Sequence, residues 1–321
     1  MHQTFFSQPK HTLIKAINNN QLTGIPFMQA DLLRKYLVRL PAIPKGRMRR
    51  PRKGLRSTRR KKKGRRDKMQ EQEENEIELQ MKDDEEEKYA GHNNIFCYAA
   101  LVDKQTGSIY TDATGALPHV SLEGNQYYFV AYDYDTNAIF AIPIKDLKDE
   151  TIIAAFDEIF KDLTEKGYKP QFNVTDNQAT TPLKAYLKKE DCAWQFVEPT
   201  NHRFNAAERA IQTFKNHMIS SLSTTDVDFP LQLWDKLTEQ VLITLNIVRT
   251  SRIDPSKSAY HQLHSHRYNW NKYPMASPGT RAILLVDLTM RESWGTRGIY
   301  AWYVGPSFDH YQNCIVLFPK Q

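Results

Sequence analysis

Cysteine is scarce in this chain. The three that occur, Cys97, Cys192 and Cys314, lie far apart and include no CxxC pair, so they offer neither a disulfide framework nor a zinc-finger ligand set. A reducing compartment is expected. Long apolar runs are missing as well. No stretch approaches the ~18 apolar residues of a membrane-spanning helix, and the opening MHQTFFSQPKHTLIK lacks the basic-then-apolar form of a signal peptide. A soluble, intracellular protein with no membrane partner is expected. Glycine (13) and proline (16) are too few for a collagen-like or low-complexity chain.

What is present suits a folded protein. The 321 residues are 40% hydrophobic and 11% aromatic, enough for roughly two domains at about 150 residues each. The net charge of +7 conceals a sharper partition: residues 1–68 carry +18, residues 69–87 carry −9, and residues 88–321 carry −2. The basic character therefore sits in an N-terminal arm, which would meet any polyanion first.

Four regions follow from composition. Residues 1–44 read as a small helical module, with Leu32, Leu33, Tyr36 and Leu37 on one helical face. Residues 45–88 form a charged linker, first basic and then acidic. It holds 14 Lys/Arg between Lys45 and Arg66 and almost no apolar residues, so it is expected to be disordered when free. Residues 89–275 alternate strand and helix patterns. IFCYAALVD, SIYTDA, QYYFVAYDY and AIFAIPI read as an antiparallel meander. DETIIAAFDEIFKDLTEKG reads as a helix, QFNVTD as a strand, TPLKAYLKKED as a helix and AWQFVEP as a strand. NAAERAIQTFKNHMISSL and LQLWDKLTEQVLITLNIVR are expected to be two longer helices. Residues 276–321 return to strands, a small β module. The whole predicts an α/β fold, a mixed sheet flanked by helices.

Three carboxylates stand out in such a fold. Asp112 lies in SIYTDA, Asp176 closes QFNVTD, and Glu208 lies on a helix whose polar side presents Asn201, Asn205, Glu208, Gln212 and Lys215 at steps of 4, 3, 4 and 3. Oxygen ligands suit a divalent cation, and amide and ammonium donors suit phosphate oxygens. Any one Asp alone is more often a turn or cap residue. Their order carries the weight, because an early-strand Asp, a later-strand Asp and a helical Glu converge at one edge of an RNase H-like sheet. Asp133 and Asp135, in YDYDTN, compete for the first position, but their place before Asn137 favours a hairpin turn. His261, His264 and His266 are spaced by 3 and 2, fit no shared helix face well, and are expected to be surface histidines rather than a metal site. Of the C-terminal aromatics, Trp294, Tyr300, Trp302, Tyr303 and Tyr311 are expected to be core more than nucleic-acid stacking platforms.

YTDATGALPHVS, GNQYYFVAYDYDTNAIFAIPIK, VTDNQAT and NHRFNAAERAIQTFKNH together resemble the integrase core of retroelement Pol polyproteins, the DDE superfamily, copia-type in particular. FPLQLWDKLTEQVLITLNIVRTSRIDPSKSAYHQLH and RESWGTRGIYAWYVGPSFDHYQNCIVLF resemble the regions that follow that core. The resemblance implies a retrotransposon integrase that processes DNA 3′ ends and transfers strands by two-metal phosphoryl transfer. In it Asp112 would bridge two Mg²⁺ ions (or Mn²⁺), Asp176 and Glu208 would each favour one ion, and Lys215 would contact DNA. The implied partners are element ends, target DNA and further copies of the chain on DNA. The 31 residues between Asp176 and Glu208 are fewer than the family commonly has, and the N-terminal module lacks the paired His and paired Cys of the family's zinc domain, so no zinc is expected. DATG is not an aspartic-protease motif and no YxDD occurs, which fits an integrase fragment or a solitary integrase-like gene. The basic residues Arg49, Arg50, Arg52, Lys53, Arg59, Arg60, Lys61, Lys62 and Lys63 are expected to bind DNA phosphates or direct nuclear import. The alternatives are an inactive nucleic-acid or chromatin-binding remnant and an RNase H-like nuclease.

Overall fold

The computed structural model describes residues 3–25, 28–37, 41–47, 106–175, 180–196, 206–285, 289 and 294–318. In chain order the elements begin with helices α1 (Lys10–Asn18), α2 (Ala30–Tyr36) and α3 (Ala42–Arg47). Strands β1 (Ser108–Ala113), β2 (Tyr127–Asp133) and β3 (Ala138–Ile144) come next, followed by α4 (Asp149–Glu165), β4 (Phe172–Thr175), α5 (Thr181–Lys189) and β5 (Ala193–Phe196). Helices α6 (Ala206–Leu222), α7 (Thr238–Val248) and α8 (Ala259–His264) precede β6 (Arg281–Leu285), β7 (Gly298–Pro306) and β8 (Cys314–Leu317). The segment IFCYAALVD lies outside the described residues.

The alternating runs form the expected meander. β2 turns into β3 through a loop in which Asn137 adopts φ +59°, a conformation that Asn tolerates. β1 pairs antiparallel with β2 and parallel with β4, and β5 extends the sheet in parallel, giving the order β3-β2-β1-β4-β5. This is the RNase H-like arrangement: a mixed five-stranded sheet with helices on both faces.

Period-two alternation splits β1 and β2 between two cores. On one face Ile109, Phe129 and Ala131 meet Phe156, Ile159, Phe160 and Leu163 of α4 and Leu183 and Leu187 of α5. On the other, Tyr128, Val130 and Tyr132 meet Ala210, Ile211, Phe214 and Met218 of α6 and Val241 and Leu245 of α7. Each fully buried side chain of this size contributes roughly 1.5–3 kcal/mol. In the C-terminal sheet, of order β6-β7-β8, Trp302 and Val304 of β7 enter the α6 core, while Trp294, Tyr300 and Tyr311 are exposed. The C-terminal aromatics thus divide between core and surface.

Four sequence expectations need correction. LQLWDKLTEQVLITLNIVR is not one helix: Leu231–Leu237 is 3₁₀ and α7 starts at Thr238, a tightening common at helix starts. Tyr36 does not join an apolar face and is 64% exposed. The linker boundary at residue 44 falls inside α3, and Arg47 is built into the fold. Its guanidinium donates to the Ser7 carbonyl (3.0 Å), the Ser220 hydroxyl (3.1 Å) and the Gln8 side-chain carbonyl (3.2 Å), and burial lowers its pKa to about 10. Beside it Gly46 presses on α6 so closely that a Cβ would stand 2.7 Å from the Asn216 carbonyl. Finally, His261 and His264 do share a helix, α8, where His264 stacks on Tyr260 at 4.2 Å and is half-buried rather than on the surface.

The N-terminal segment also docks on the rest of the fold. Phe5, Leu13, Leu22 and Met28 pack with Ile247, Tyr260, Tyr268 and Trp270. Phe6 and Ser7 both take positive φ (53° and 50°), a strained backbone held by the burial of both residues and by Arg47.

Candidate functional site

Asp112 sits one residue from the end of β1, opposite Val130. It therefore shares a sheet face with Tyr110 and Val130, the face covered by α6. Its carboxylate is half-buried, and one oxygen accepts from the Ala113 N–H at 2.8 Å. The chain after it is pinned. Thr114 donates its N–H to the Tyr128 carbonyl and accepts the Tyr128 N–H on its hydroxyl, at 2.8 and 2.9 Å, and the Trp234 indole donates to the His119 carbonyl at 2.8 Å. The end of β1 is thereby fixed in place.

Glu208 lies in the first turn of α6 and is exposed. A carboxylate there is stabilised by the positive end of the helix dipole, typically by about 0.3–1 kcal/mol. The stripe expected on α6 is present in part: Glu208 and Gln212 are exposed, Lys215 is half-buried, and Gln212 donates to the Asn216 side-chain carbonyl at 2.7 Å. Sequence reading passed over Arg209. It is exposed, and its charge lowers the Tyr110 pKa against the dominant upward push of burial, so the first turn of α6 lies within electrostatic reach of the β1 face that bears Asp112. The only signal in the sequence was its place beside Glu208.

Asp176 lies outside the described residues, as do Asn201, Asn205 and the arm residues Arg49, Arg50, Arg52, Lys53, Arg59, Arg60, Lys61, Lys62 and Lys63. The residue before Asp176 is described: Thr175 pairs with Thr111, the residue before Asp112. Among the described residues no group of three or more His, Cys, Asp or Glu side chains comes together to hold a metal. The acidic, oxygen-donor character of Asp112 and Glu208 fits a hard divalent cation.

The competing acids are structural. Asp133 is buried and caps the β2–β3 turn, accepting from the Thr136 N–H at 2.8 Å and from the Thr136 hydroxyl. Burial pushes its pKa up to about 6. Asp135 holds the start of β1, accepting from the N–H and hydroxyl of Thr106 (3.0 and 2.9 Å) and the N–H of Gly107 (2.7 Å). In α8, burial first and then Lys166 lower the His264 pKa to about 4.

No protein-family model matches the sequence, and neither does any curated protein. Solved structures do show likeness. The catalytic core domain of BIV integrase is 12% identical, with a TM-score of 0.37 over 50% of this chain and 94% of that one. The HTLV-2 integrase catalytic core domain in complex with magnesium is 18% identical, with a TM-score of 0.37 over 51% and 98%. A chain of the simian T-cell lymphotropic virus intasome in complex with PP2A regulatory subunit B56 gamma is 17% identical, with a TM-score of 0.40 over 62% and 66%. Similarity at this level says nothing of activity, and the fold assignment rests on strand order and pairing.

Proposed function

We propose that this chain is a polynucleotidyl transferase of the integrase type, acting on DNA phosphodiesters at element ends and target sites. One observation carries the reading. β1 and β4 run side by side, with Thr111 and Thr175 paired immediately before Asp112 and Asp176 in sequence, and the first turn of α6, with Glu208, packs on the same face as Asp112. In this reading Asp112, Asp176 and Glu208 hold divalent cations, Mg²⁺ by the hardness of their oxygens. When bound, the ions would activate the attacking oxygen and stabilise the leaving one. Lys215, Arg209 and Gln212 present donors to phosphate oxygens along α6, and Asn205 joins them by its sequence position. The basic arm, residues 49–63, adds sequence-independent DNA affinity and supports a nuclear location. Assembly of several copies on DNA belongs to the same proposal.

The test is a strand-transfer assay with a labelled element-end duplex and Mg²⁺ or Mn²⁺. Wild type should give product, and Glu208→Gln should lower the rate roughly a hundredfold or more while binding DNA as well. If wild type gives no product and both proteins bind DNA equally, the chain is a binding module. Preferential cleavage of an RNA·DNA hybrid would make it a nuclease instead.

A further inference from the structure

At the other end of the sheet, the loop after α7 leans on the β2–β3 turn: Arg252 and Ile253 donate their N–H groups to the Asp135 carbonyl at 3.2 and 3.3 Å. That turn lies beside the start of β1, since Asp133 pairs with Ile109, whereas Asp112 is near the strand's end. Beyond the loop is a surface cleft of about 330 Å³, lined by Asn19 and Asn20 at the end of α1, Ser256 and Lys257 before α8, His261 on α8, and Arg267 after it.

The lining is rich in donors and contains no carboxylate. Asp254, which stands outside the cleft, pairs with Lys257 at 3.2 Å and accepts from the Ser256 hydroxyl at 2.6 Å. Among the described residues the Arg267 guanidinium meets no hydrogen-bond or ion-pair partner, and the side-chain amides of Asn19 and Asn20 meet none either. The His261 ring lies among like charges. After burial, Arg267 and Lys257 depress its pKa, His266 adds a little, and Asp254 opposes. Converging cations with spare N–H donors cost Coulomb energy when the cleft holds only water, and a tetrahedral oxyanion would relieve that cost while accepting several charge-assisted hydrogen bonds.

We propose that this cleft binds a phosphate group, held by Lys257 and Arg267 with Asn19, Asn20 and His261 as further donors. The chemistry is shared by a free phosphate or nucleotide and by the phosphodiester of a nucleic acid. The site stands apart from the acidic residues at the end of β1 and does not depend on their chemistry.

His261 is the reporter. Its ring signals are followed by NMR against pH for the full chain, alone, with millimolar inorganic phosphate, and with a short DNA duplex. A bound anion favours the imidazolium, so the His261 midpoint should rise. Arg267→Gln should weaken the phosphate Kd by about tenfold, the loss of one charge-assisted hydrogen bond worth about 1.4 kcal/mol, and Lys257→Gln should act similarly. Both residues lie at the surface, and unchanged melting temperatures would show that the variants fold. A response to inorganic phosphate identifies a free-phosphate site, and a response to duplex alone identifies a backbone contact. A midpoint that neither ligand moves, or one that moves equally in Arg267→Gln, overturns the proposal. Glu208→Gln, which would end the proposed reaction, leaves this readout intact, so failure of either proposal is seen separately.

Discussion

Thr111 donates its hydroxyl to the side-chain carbonyl of Asn173 at 3.1 Å, joining β1 to β4 by a hydrogen bond between two residues with no solvent exposure. The bond lies on the sheet face opposite Asp112, within the α4–α5 core, and it couples the two strands that lead to Asp112 and Asp176. The Asn173 amide nitrogen has no partner among the described residues, so Asn173 depends on Thr111. Thr111→Val should cost about 1–3 kcal/mol, because it strands the Asn173 carbonyl in a dry core. The double change Thr111→Val with Asn173→Leu should recover much of that loss. Urea denaturation of the two single variants and the double variant measures the coupling, and strictly additive losses would refute it.

One side chain meets the outer edge of the sheet at Ile139. Asn246 of α7 accepts the Ile139 N–H and donates to the Ile139 carbonyl, both at 2.9 Å, so it satisfies the outward backbone groups of that residue on edge strand β3. Asn246→Ala should destabilise by roughly 2–5 kcal/mol, since two buried backbone groups lose their partners. An open edge also invites self-pairing. Denaturation midpoints and sedimentation velocity read both effects, and an unchanged midpoint would contradict this role.

Acid stability should reflect two buried groups of opposite sign. His217 is 1% exposed, placed between the Gln8 amide (3.0 Å) and the Thr244 hydroxyl (3.1 Å). Burial, then Arg47, holds its pKa well below the usual imidazole value. The unfolded chain therefore takes up a proton at His217 that the native chain refuses, and stability falls as pH drops below about 6.5. Asp133 acts in reverse. Its pKa of about 6 against 3.8 means that the native state keeps a proton the unfolded state releases, a contribution present below about pH 4 and lost as pH rises to 6. Replacing Asp133 with Asn removes this offset, so between pH 6 and 4 the variant should lose up to about 3 kcal/mol more stability than wild type. Parallel stability curves would exclude it.

A deletion that begins after residue 48 tests the arm without touching Arg47. Arg47 holds Ser7, Gln8 and Ser220, so it belongs to the packed protein, whereas the lysines and arginines from Arg49 onward are the proposed DNA-binding groups. Deleting residues 49–68 should weaken duplex binding and flatten its salt dependence by about 0.9 in log–log slope for each phosphate no longer neutralised, with little change in melting temperature. A deletion that starts at Lys45 should also lower the melting temperature. Filter binding across a salt series, with thermal melts, distinguishes the two; unchanged binding at low salt would remove the arm from the DNA reading.

Local pattern determined much of this architecture. The period-two runs of β1, β2 and β3 and the 3.6-residue spacing of Phe156, Ile159, Phe160 and Leu163 each express a rule satisfied within a few residues, because an element must present one apolar face to whatever covers it. That Asp112 falls on a strand and Glu208 on a helix was readable for the same reason. Other outcomes depended on interactions between residues far apart in sequence. Arg47 reads as one charge in a basic run until Ser7 and Ser220, 40 and 173 residues away, surround it. The basic cleft joins residues 19 and 267, and no local rule connects positions so distant. Chain entropy makes such long-range pairings invisible to pattern, and packing alone selects them.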